Sequence, residues 1–424
     1  MAEPTNNHEG IMTRAFRGDR LHIAILGRCN TGKSTVLNHI TGQQAAIVSP
    51  QPGTTGDPVP LSFELLPLGP VTFYDTAGLD ENSELGILRR SAGRKVLARA
   101  DIVLIVIDER GFSPWEEDLI AAACNLETPV LIVGNKQDLH GEAAQQAAVW
   151  CEDNDIPFFA LAADRDKDPS RLREALIRLA PKGDKNPLVI DILPAKSAVI
   201  CVTPIDASAP TGRLIAPQVQ VLRELIEANH PTMVVQPSEL ERTLSILRES
   251  PALVITDSQA VREIAGKLPP DIPLTTFSVI FARHKGDFSQ LLHGAFSIDT
   301  LPSNAPVLIA EACSHHAQDD DIARIKIPTL LQKHLGRPLN FSFVAGGDFP
   351  DDINRFCLAI HCGGCMLNPG EMRRRLRLCT TANVPATNFG MVISATQGLL
   401  ERIAAPLLHK TTAHKYTTQE DCTR

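Results

Sequence analysis

The chain has 424 residues, a formal charge of −8 and a pI near 5.9. That length suits two or three domains with full cores, and the acidic balance, with no Lys/Arg block, argues against a nucleic-acid partner. Ten cysteines are too dilute for a small disulfide scaffold, Met1–Gly10 lacks the apolar core of a signal peptide, and no apolar run nears the roughly 18–20 residues of a membrane helix. The expected setting is cytoplasmic, away from membranes, where reduced cysteines serve metals more readily than cross-links.

The apolar run His22–Leu26 reads as a buried parallel strand, and Thr35–Thr41 as the first turns of a helix. Between them Gly27-Arg28-Cys29-Asn30-Thr31-Gly32-Lys33-Ser34 fits G-x-x-x-x-G-K-[ST]. Glycines there let successive backbone N–H groups face one concavity for phosphate oxygens. Lys33 supplies charge to the β/γ-phosphates, Ser34 places a hydroxyl on Mg²⁺, and the helix from Thr35 adds its positive end. The alternative, a glycine-rich turn that binds nothing, does not explain the strand–loop–helix context.

Ala46–Pro60, rich in Thr, Pro and Gly, reads as a mobile loop in which a threonine can ligate Mg²⁺ and sense the γ-phosphate. Leu61–Leu66 and Val71–Tyr74 read as strands. Asp75-Thr76-Ala77-Gly78 then matches D-x-x-G, with Asp75 holding Mg²⁺ through water and the Gly78 amide facing the γ-phosphate. Ile102–Asp108 is another buried strand, and Ser113-Pro114-Trp115-Glu116-Glu117 opens a helix with Ser113 as N-cap. Val130–Gly134 leads into Asn135-Lys136-Gln137-Asp138, the N-K-x-D guanine reader, where Asp138 accepts from guanine N1–H and the 2-amino group. The fifth guanine element falls at Leu161-Ala162-Ala163 without its usual Ser, which leaves backbone amides for O6.

This motif order, each at the end of a strand, predicts an α/β fold, a doubly wound GTPase domain over 18–182 with GTP and Mg²⁺ at the strand C-termini. Leu79 stands where many small GTPases carry a water-orienting glutamine, so hydrolysis should be slow. Asn30 in G-R-x-N-x-G-K-S resembles the asparagine of translation- and tRNA-modification-type GTPases that bind K⁺ in place of an arginine finger. Its competing role is to shape the loop.

Ala180–Pro187 is a polar linker. Beyond it a β/α alternation runs through Ala198–Val202, Pro217–Ala228, Thr232–Gln236, Ser238–Arg248, Ala252–Thr256, Ser258–Leu268 and Thr275–Phe281. Pro217–Ala228 is expected to carry Val219, Leu222, Leu225 and Ile226 on one apolar face. No chemistry-bearing motif falls here, and a dimerisation module is expected over 186–265. In the last third, Cys313-Ser314-His315 precedes His361-Cys362-Gly363-Gly364-Cys365. Three thiolates with His315 or His361 suit either Zn²⁺ or an iron–sulfur cluster. A [4Fe–4S] cluster would keep one iron for a histidine, an oxygen ligand or an exchangeable species. Cysteines 29, 124, 151, 201, 357, 379 and 422 read as packed thiols.

The combination resembles the [FeFe]-hydrogenase maturation GTPases (HydF-type) from about Arg20 to Pro406. Besides the GTPase motifs and Leu85-Gly86, the resemblance rests on Pro204-Ile205-Asp206, Ala209-Pro210, Gly212-Arg213-Leu214-Ile215 and Pro217-Gln218-Val219-Gln220. It continues through Lys285-Gly286-Asp287, Asp348-Phe349-Pro350, His361–Asn368 and Thr387-Asn388-Phe389-Gly390. It implies a scaffold that binds a [4Fe–4S] cluster through Cys313, Cys362 and Cys365 over a domain at 266–406. It further implies a di-iron precursor taken from two radical-SAM maturases and passed to apo-hydrogenase, a dimeric middle domain, and a K⁺-stimulated GTPase using Lys33, Asn30 and Thr55, the last as switch-I Mg²⁺ ligand. Gly56 stands where relatives of this GTPase class often carry Arg, and the tail 407–424 is unassigned. Two rivals are a K⁺-activated GTPase of tRNA modification or ribosome assembly with a zinc site, and a binding scaffold whose GTPase is vestigial. The acidic balance counts against the first, and intact Lys33, Ser34, Thr55, Asp75 and Asp138 against the second.

Overall fold

A computed structural model describes residues 20–42, 59–76, 93–136, 142–163, 165–181, 187–205, 214–311, 322–346, 349–350, 352–362 and 367–408. The chain divides into two compact units, Met1–Gly183 and Asp184–Arg424.

In the first unit, β1 (Leu21–Leu26), β2 (Val59–Leu65), β3 (Gly69–Asp75), β4 (Ile102–Ile107), β5 (Val130–Gly134) and β6 (Phe158–Ala160) form one sheet in the order β2-β3-β1-β4-β5-β6. All pairs are parallel except β2 with β3. Strands covered on both faces read as continuous apolar runs, and β4 is buried along its whole length. Its side chains alternate between layers: Leu104 and Val106 pack with Leu37, Ile40 and Leu176, while Val103, Ile105 and Ile107 pack with Leu97, Leu119 and Ala123. Each such aliphatic contributes about 1.5–3 kcal/mol on burial.

Helix Pro114–Asn125 begins as its residues dictate. Ser113 Oγ accepts from Trp115 N at 3.3 Å, and Glu116 Oε2 reaches back to Ser113 N at 2.9 Å, closing a capping box with Pro at the first position. The helix after the phosphate loop spans Lys33–Thr41 and starts two residues earlier than the pattern suggests, because Gly32, at φ +88°, turns the chain directly into it.

The second unit holds two four-stranded, all-parallel sheets. β7 (Val199–Val202), β8 (Thr232–Val235), β9 (Leu253–Thr256) and β10 (Leu274–Thr276) run in the order β10-β9-β7-β8, with β8 at an edge. β11 (Pro306–Ala310), β12 (Asn340–Val344), β13 (Leu358–His361) and β14 (Ala386–Asn388) run β12-β11-β13-β14. One core joins them: Ile200, Val254 and Leu274 share a cluster with Phe277, Phe281, Leu308 and Ala359. The expected boundary at 265/266 falls ahead of β10, the last strand of the first sheet. In helix Ala216–Glu227 the buried positions are Gln218, Val221 and Leu225. Leu222 packs on that core, but Val219 and Ile226 face solvent at 38% and 65% exposure. That corrects the expected face: the core stripe lies one position round the helix, and two apolar residues are left outside it.

Candidate nucleotide site and cysteine loop

The phosphate loop leaves β1 between β3 and β4. Gly27, at φ +148°, passes so close to β4 that a Cβ would stand 2.3 Å from the Val106 carbonyl, and at Gly32 one would stand 2.2 Å from Asn135 Nδ2. Both glycines are therefore required by contact as well as by φ. Asn30 is exposed and left-handed at φ +63°, a conformation Asn tolerates better than most residues. That meets its loop-shaping role, and its side chain stays open to solvent. Buried Lys33 donates from Nζ to the Gly27 and Arg28 carbonyls at 3.0 and 2.7 Å, curled over the concavity that phosphate oxygens would fill. Thr31 is buried, its hydroxyl on the Arg28 carbonyl at 3.0 Å, and Thr35 is half-buried in the helix's first turn.

Ser34 Oγ donates to Asp75 Oδ2 at 2.9 Å. Asp75 Oδ1 is sealed from solvent and has no partner among the described residues. Burial raises the Asp75 carboxyl above its ordinary range, opposed by the Ser34 hydrogen bond and the Lys33 charge. A hydroxyl beside a carboxylate with one unsatisfied oxygen fits Mg²⁺, which takes few protein ligands and keeps its waters. Thr76 Oγ1 anchors the exit of β3 on the Ile25 carbonyl at 2.9 Å.

On the guanine side Asn135 is buried and works as a brace. Its Nδ2 donates to the Thr31 carbonyl at 3.0 Å and its Oδ1 accepts from Ala163 N at 3.1 Å, tying the phosphate loop to the fifth element. Leu161 N is taken by the Gly134 carbonyl. Lys136 sits at φ +58° with Nζ 3.9 Å from Asp108 Oδ2. Thr55, Gly56, Gly78, Leu79 and Asp138 lie outside the described residues.

In the second unit the register pairs Ala310 at the end of β11 with His361 at the end of β13. Cys362, half-buried, donates its backbone N–H to the Ala310 carbonyl at 2.9 Å. Three residues beyond Ala310 stands Cys313, about 11 Å of chain at most, and Cys365 follows Cys362 at the same interval. Cys313, His315 and Cys365 lie outside the described residues. His361 is 1% exposed, and among the described residues neither ring nitrogen has a hydrogen-bond partner. Burial, with the Arg375 charge, pulls its pKa to about 3, so the ring is a neutral base. It stacks on Phe349 at 5.4 Å and lines a cavity of about 10 Å³ with Cys362, Met372 and Asn388. A neutral imidazole with both nitrogens unsatisfied, beside a thiol, fits a metal or cluster. Among the described residues no three His, Cys, Asp or Glu side chains converge on one metal position.

Two groups near these sites escape sequence reasoning. Arg375, wholly buried, donates to Glu371 Oε1 and the Gly346 carbonyl and lies 5.1 Å over the Phe349 ring. Its spacing of four from Glu371 on a helix was a visible signal. Asp108 gathers cations from three segments, which only the fold reveals. Of the cysteines read as packed, 151, 201 and 379 are buried, with thiols pushed up to about 11, 12 and 12 by burial, but Cys124 is exposed.

Residues 188–286 match the family model described as Hydrogen maturase F dimerization domain, 289–406 the Hydrogen maturase F tetramerization domain, and 22–136 the 50S ribosome-binding GTPase. Among curated proteins, the tRNA modification GTPase MnmE of Synechococcus sp. (strain RCC307) is 42% identical over 132 residues, 30% of this chain and 28% of that protein. MnmE of Paraburkholderia xenovorans (strain LB400) is 36% identical over 170 residues, 39% of this chain and 36% of that protein. The chain thus spans only 28–36% of the length of these two relatives. The crystal structure of Aquifex aeolicus Era bound to GDP·AlF4⁻ aligns at a TM-score of 0.34 and 19% identity, over 51% of this chain and 92% of that one.

Proposed function

The chain belongs to the HydF-type hydrogenase-maturation GTPases, and from that premise we propose that it is a GTP-hydrolysing carrier. It holds a [4Fe–4S] cluster through Cys313, Cys362 and Cys365, receives a di-iron precursor from radical-SAM maturases and hands it to apo-hydrogenase. The observation that supports this best is the pairing of β11 with β13, whose neighbouring carboxyl ends precede the two cysteine segments in sequence, beside a His361 whose ring nitrogens have no partner among the described residues. His361, or His315, is a candidate fourth ligand. When bound, such a cluster would supply one iron not held by a cysteine and so open to another ligand.

In the first unit Lys33 and the amides of Gly27–Ser34 take the phosphates, with Thr35 in the helix's first turn. Ser34, Thr55 and Asp75 hold Mg²⁺, the Gly78 amide meets the γ-phosphate, and Asn135, Lys136 and Asp138 serve the guanine. Of the fifth-element amides, that of Ala162 donates to no group among the described residues, and we assign it to guanine O6. Asn30 is assigned to K⁺, which supplies the charge that Leu79 cannot help organise, so the intrinsic rate is slow. The two oligomerisation-domain matches support homo-oligomers, and the edge strand β8 with exposed Val234, together with the uncovered Val219 and Ile226 of helix Ala216–Glu227, is the surface we assign to the dimer. Among the described residues no helix is long and apolar enough to cross a membrane, in keeping with a cytoplasmic site of action.

The test is anaerobic preparation with iron, sulfide and zinc analysis and an EPR spectrum after reduction. Cys362→Ser should abolish the cluster and spare GTP turnover. Zinc without iron would leave the carrier reading without support and favour a potassium-activated GTPase of the tRNA-modification kind. Equal GTPase rates in K⁺ and Na⁺ would end the role of Asn30 as a cation ligand.

A further inference from the structure

Asp108 follows β4, which lies between β1 and β5, and so emerges between the phosphate loop and the guanine motif. It is 1% exposed, yet it carries a carboxylate. A buried carboxylate is tolerated only when cations and donors surround it. Here Arg110 grips it from Nε at 3.0 and 3.1 Å and from Nη2 at 2.8 Å, and the Arg110 backbone N–H adds a bond at 3.2 Å. Arg28 Nη2 and Lys136 Nζ stand 4.0 and 3.9 Å away.

The same Arg110 Nη2 donates to the Cys29 carbonyl at 3.1 Å, in the middle of the phosphate loop. One residue earlier, Arg28 donates to buried Glu116 at 3.0 Å and to the Gly111 carbonyl. The loop's outer turn is thus held from the 108–116 segment at two consecutive residues. Burial works to raise the Asp108 carboxyl, but the Arg110 hydrogen bonds and the Arg110 and Arg28 charges outweigh it and hold it below its ordinary range. An ionised carboxylate locks the guanidinium in one fork geometry, and that guanidinium is the strut on the loop.

We propose that Asp108 is a positioning residue for nucleotide binding: through Arg110 it fixes the outer turn of the phosphate loop at Cys29, next to the phosphate-facing amides. The proposal rests on the reading of Gly27–Ser34 as the GTP site. Its role is not chemical, since Asp108 faces cations rather than substrate. Loss of the strut lets the loop sample conformations that bind phosphates poorly, and release of nucleotide quickens.

The experiment uses the full-length chain and the release rate of a fluorescent GDP, with thermal denaturation alongside. Asp108→Asn and Arg110→Gln should each speed release about tenfold, equal to about 1.4 kcal/mol. The double variant should be no faster than either single one, because the two side chains act as one unit. Asp108→Glu, which keeps the charge, should recover part of the loss. Unchanged release in folded Asp108→Asn overturns the proposal, as does a double variant whose effects multiply to about a hundredfold. If Asp108→Asn does not fold, unchanged release in Arg110→Gln, whose side chain is half-exposed, overturns it equally. Failure of the unaltered chain to bind GDP at all would instead sink the nucleotide-site reading.

Discussion

Replacing Asp75 by Asn separates the charge of this carboxylate, proposed above to hold Mg²⁺, from its shape. One Asp75 oxygen accepts from Ser34 at 2.9 Å, and the other is sealed with no partner among the described residues. Burial raises its pKa above the ordinary 3.8, against the Ser34 hydrogen bond and the Lys33 charge. An acid whose folded pKa lies above its unfolded value adds stability that is fully present below the unfolded value. That contribution is lost as pH rises through the folded value. Once pH has passed the folded value, the ionised carboxylate therefore weakens the nucleotide-free chain. Asn keeps an acceptor for Ser34 and removes the charge, so the gain is on the order of 1 kcal/mol, an upward shift of about 2–4 °C in the unfolding midpoint. Below pH 3.8 the gain should vanish, because Asp75 is then neutral too. With Mg²⁺ and GTP at a hundred times its dissociation constant the order reverses: the unaltered chain gains about 2.7 kcal/mol, and the variant loses most of that gain. Scanning calorimetry of both chains, with and without Mg²⁺·GTP, measures each arm. A nucleotide-free variant that melts below the unaltered chain, or equal stabilisation of both by Mg²⁺·GTP, refutes the reasoning.

Gly32→Ala puts a methyl 2.2 Å from Asn135 Nδ2 at a φ of +88°. It should break the Asn135–Thr31 brace and raise the KM for GTP at least tenfold, about 1.4 kcal/mol; an unchanged KM counts against the brace. Arg375→Met leaves Glu371, 2% exposed, with Arg374 alone as cation and should destabilise the second unit by about 3 kcal/mol in urea. Pairing it with Glu371→Gln should restore part of that, and equal midpoints for all three chains would contradict the buried-charge account. Val234→Lys, on the half-exposed edge strand β8, should shift the oligomer toward smaller species in sedimentation without changing the circular dichroism spectrum. A variant that sediments like the unaltered chain places the dimer elsewhere.

The first unit was legible because β1, β4 and β5 are largely aliphatic runs and β1, β3 and β5 lead into recognisable motifs. Val130–Gly134 emerges with its expected bounds and Ile102–Ile107 ends one residue before the expected Asp108, and Ser113-Pro114 with Glu116 announces a helix start that the hydrogen bonds reproduce. Helix Ala216–Glu227 was legible as a helix but not in its orientation. Its sequence holds more apolar residues than one face of the core accepts, and periodicity cannot say which pair is left for solvent or a partner. Gln218 shows the same limit from the other side. It is buried because its amide donates to Asp257 at 2.9 Å and accepts from Ile215 N at 3.1 Å, a pairing across 39 residues that no local pattern encodes. Asp108 was read only as the end of a strand, since two of its cations, Arg28 and Lys136, come from segments that meet it only once the sheet is folded, and the local Arg110 gains its meaning from its bond to the Cys29 carbonyl.

The two candidate sites share one piece of architecture. In each unit the chemistry-bearing loops leave the carboxyl ends of adjacent parallel strands, β1, β3, β4 and β5 in the first and β11 and β13 in the second. Parallel strands deliver loops to one edge at a spacing near 5 Å, so residues distant in sequence, such as Ser34 and Asp75 or Ala310 and Cys362, become neighbours without local design. The cores beneath the two edges are built from different residues, with no member of the Ile23–Val133 layers recurring in the cluster around Ile200 and Leu308. A substitution at Cys362 thus alters a residue that packs on the second unit's core and bonds to Ala310, and leaves the core clusters of the first unit as they are. That independence is the physical reason to expect GTP turnover to survive in the Cys362→Ser chain while its iron is lost.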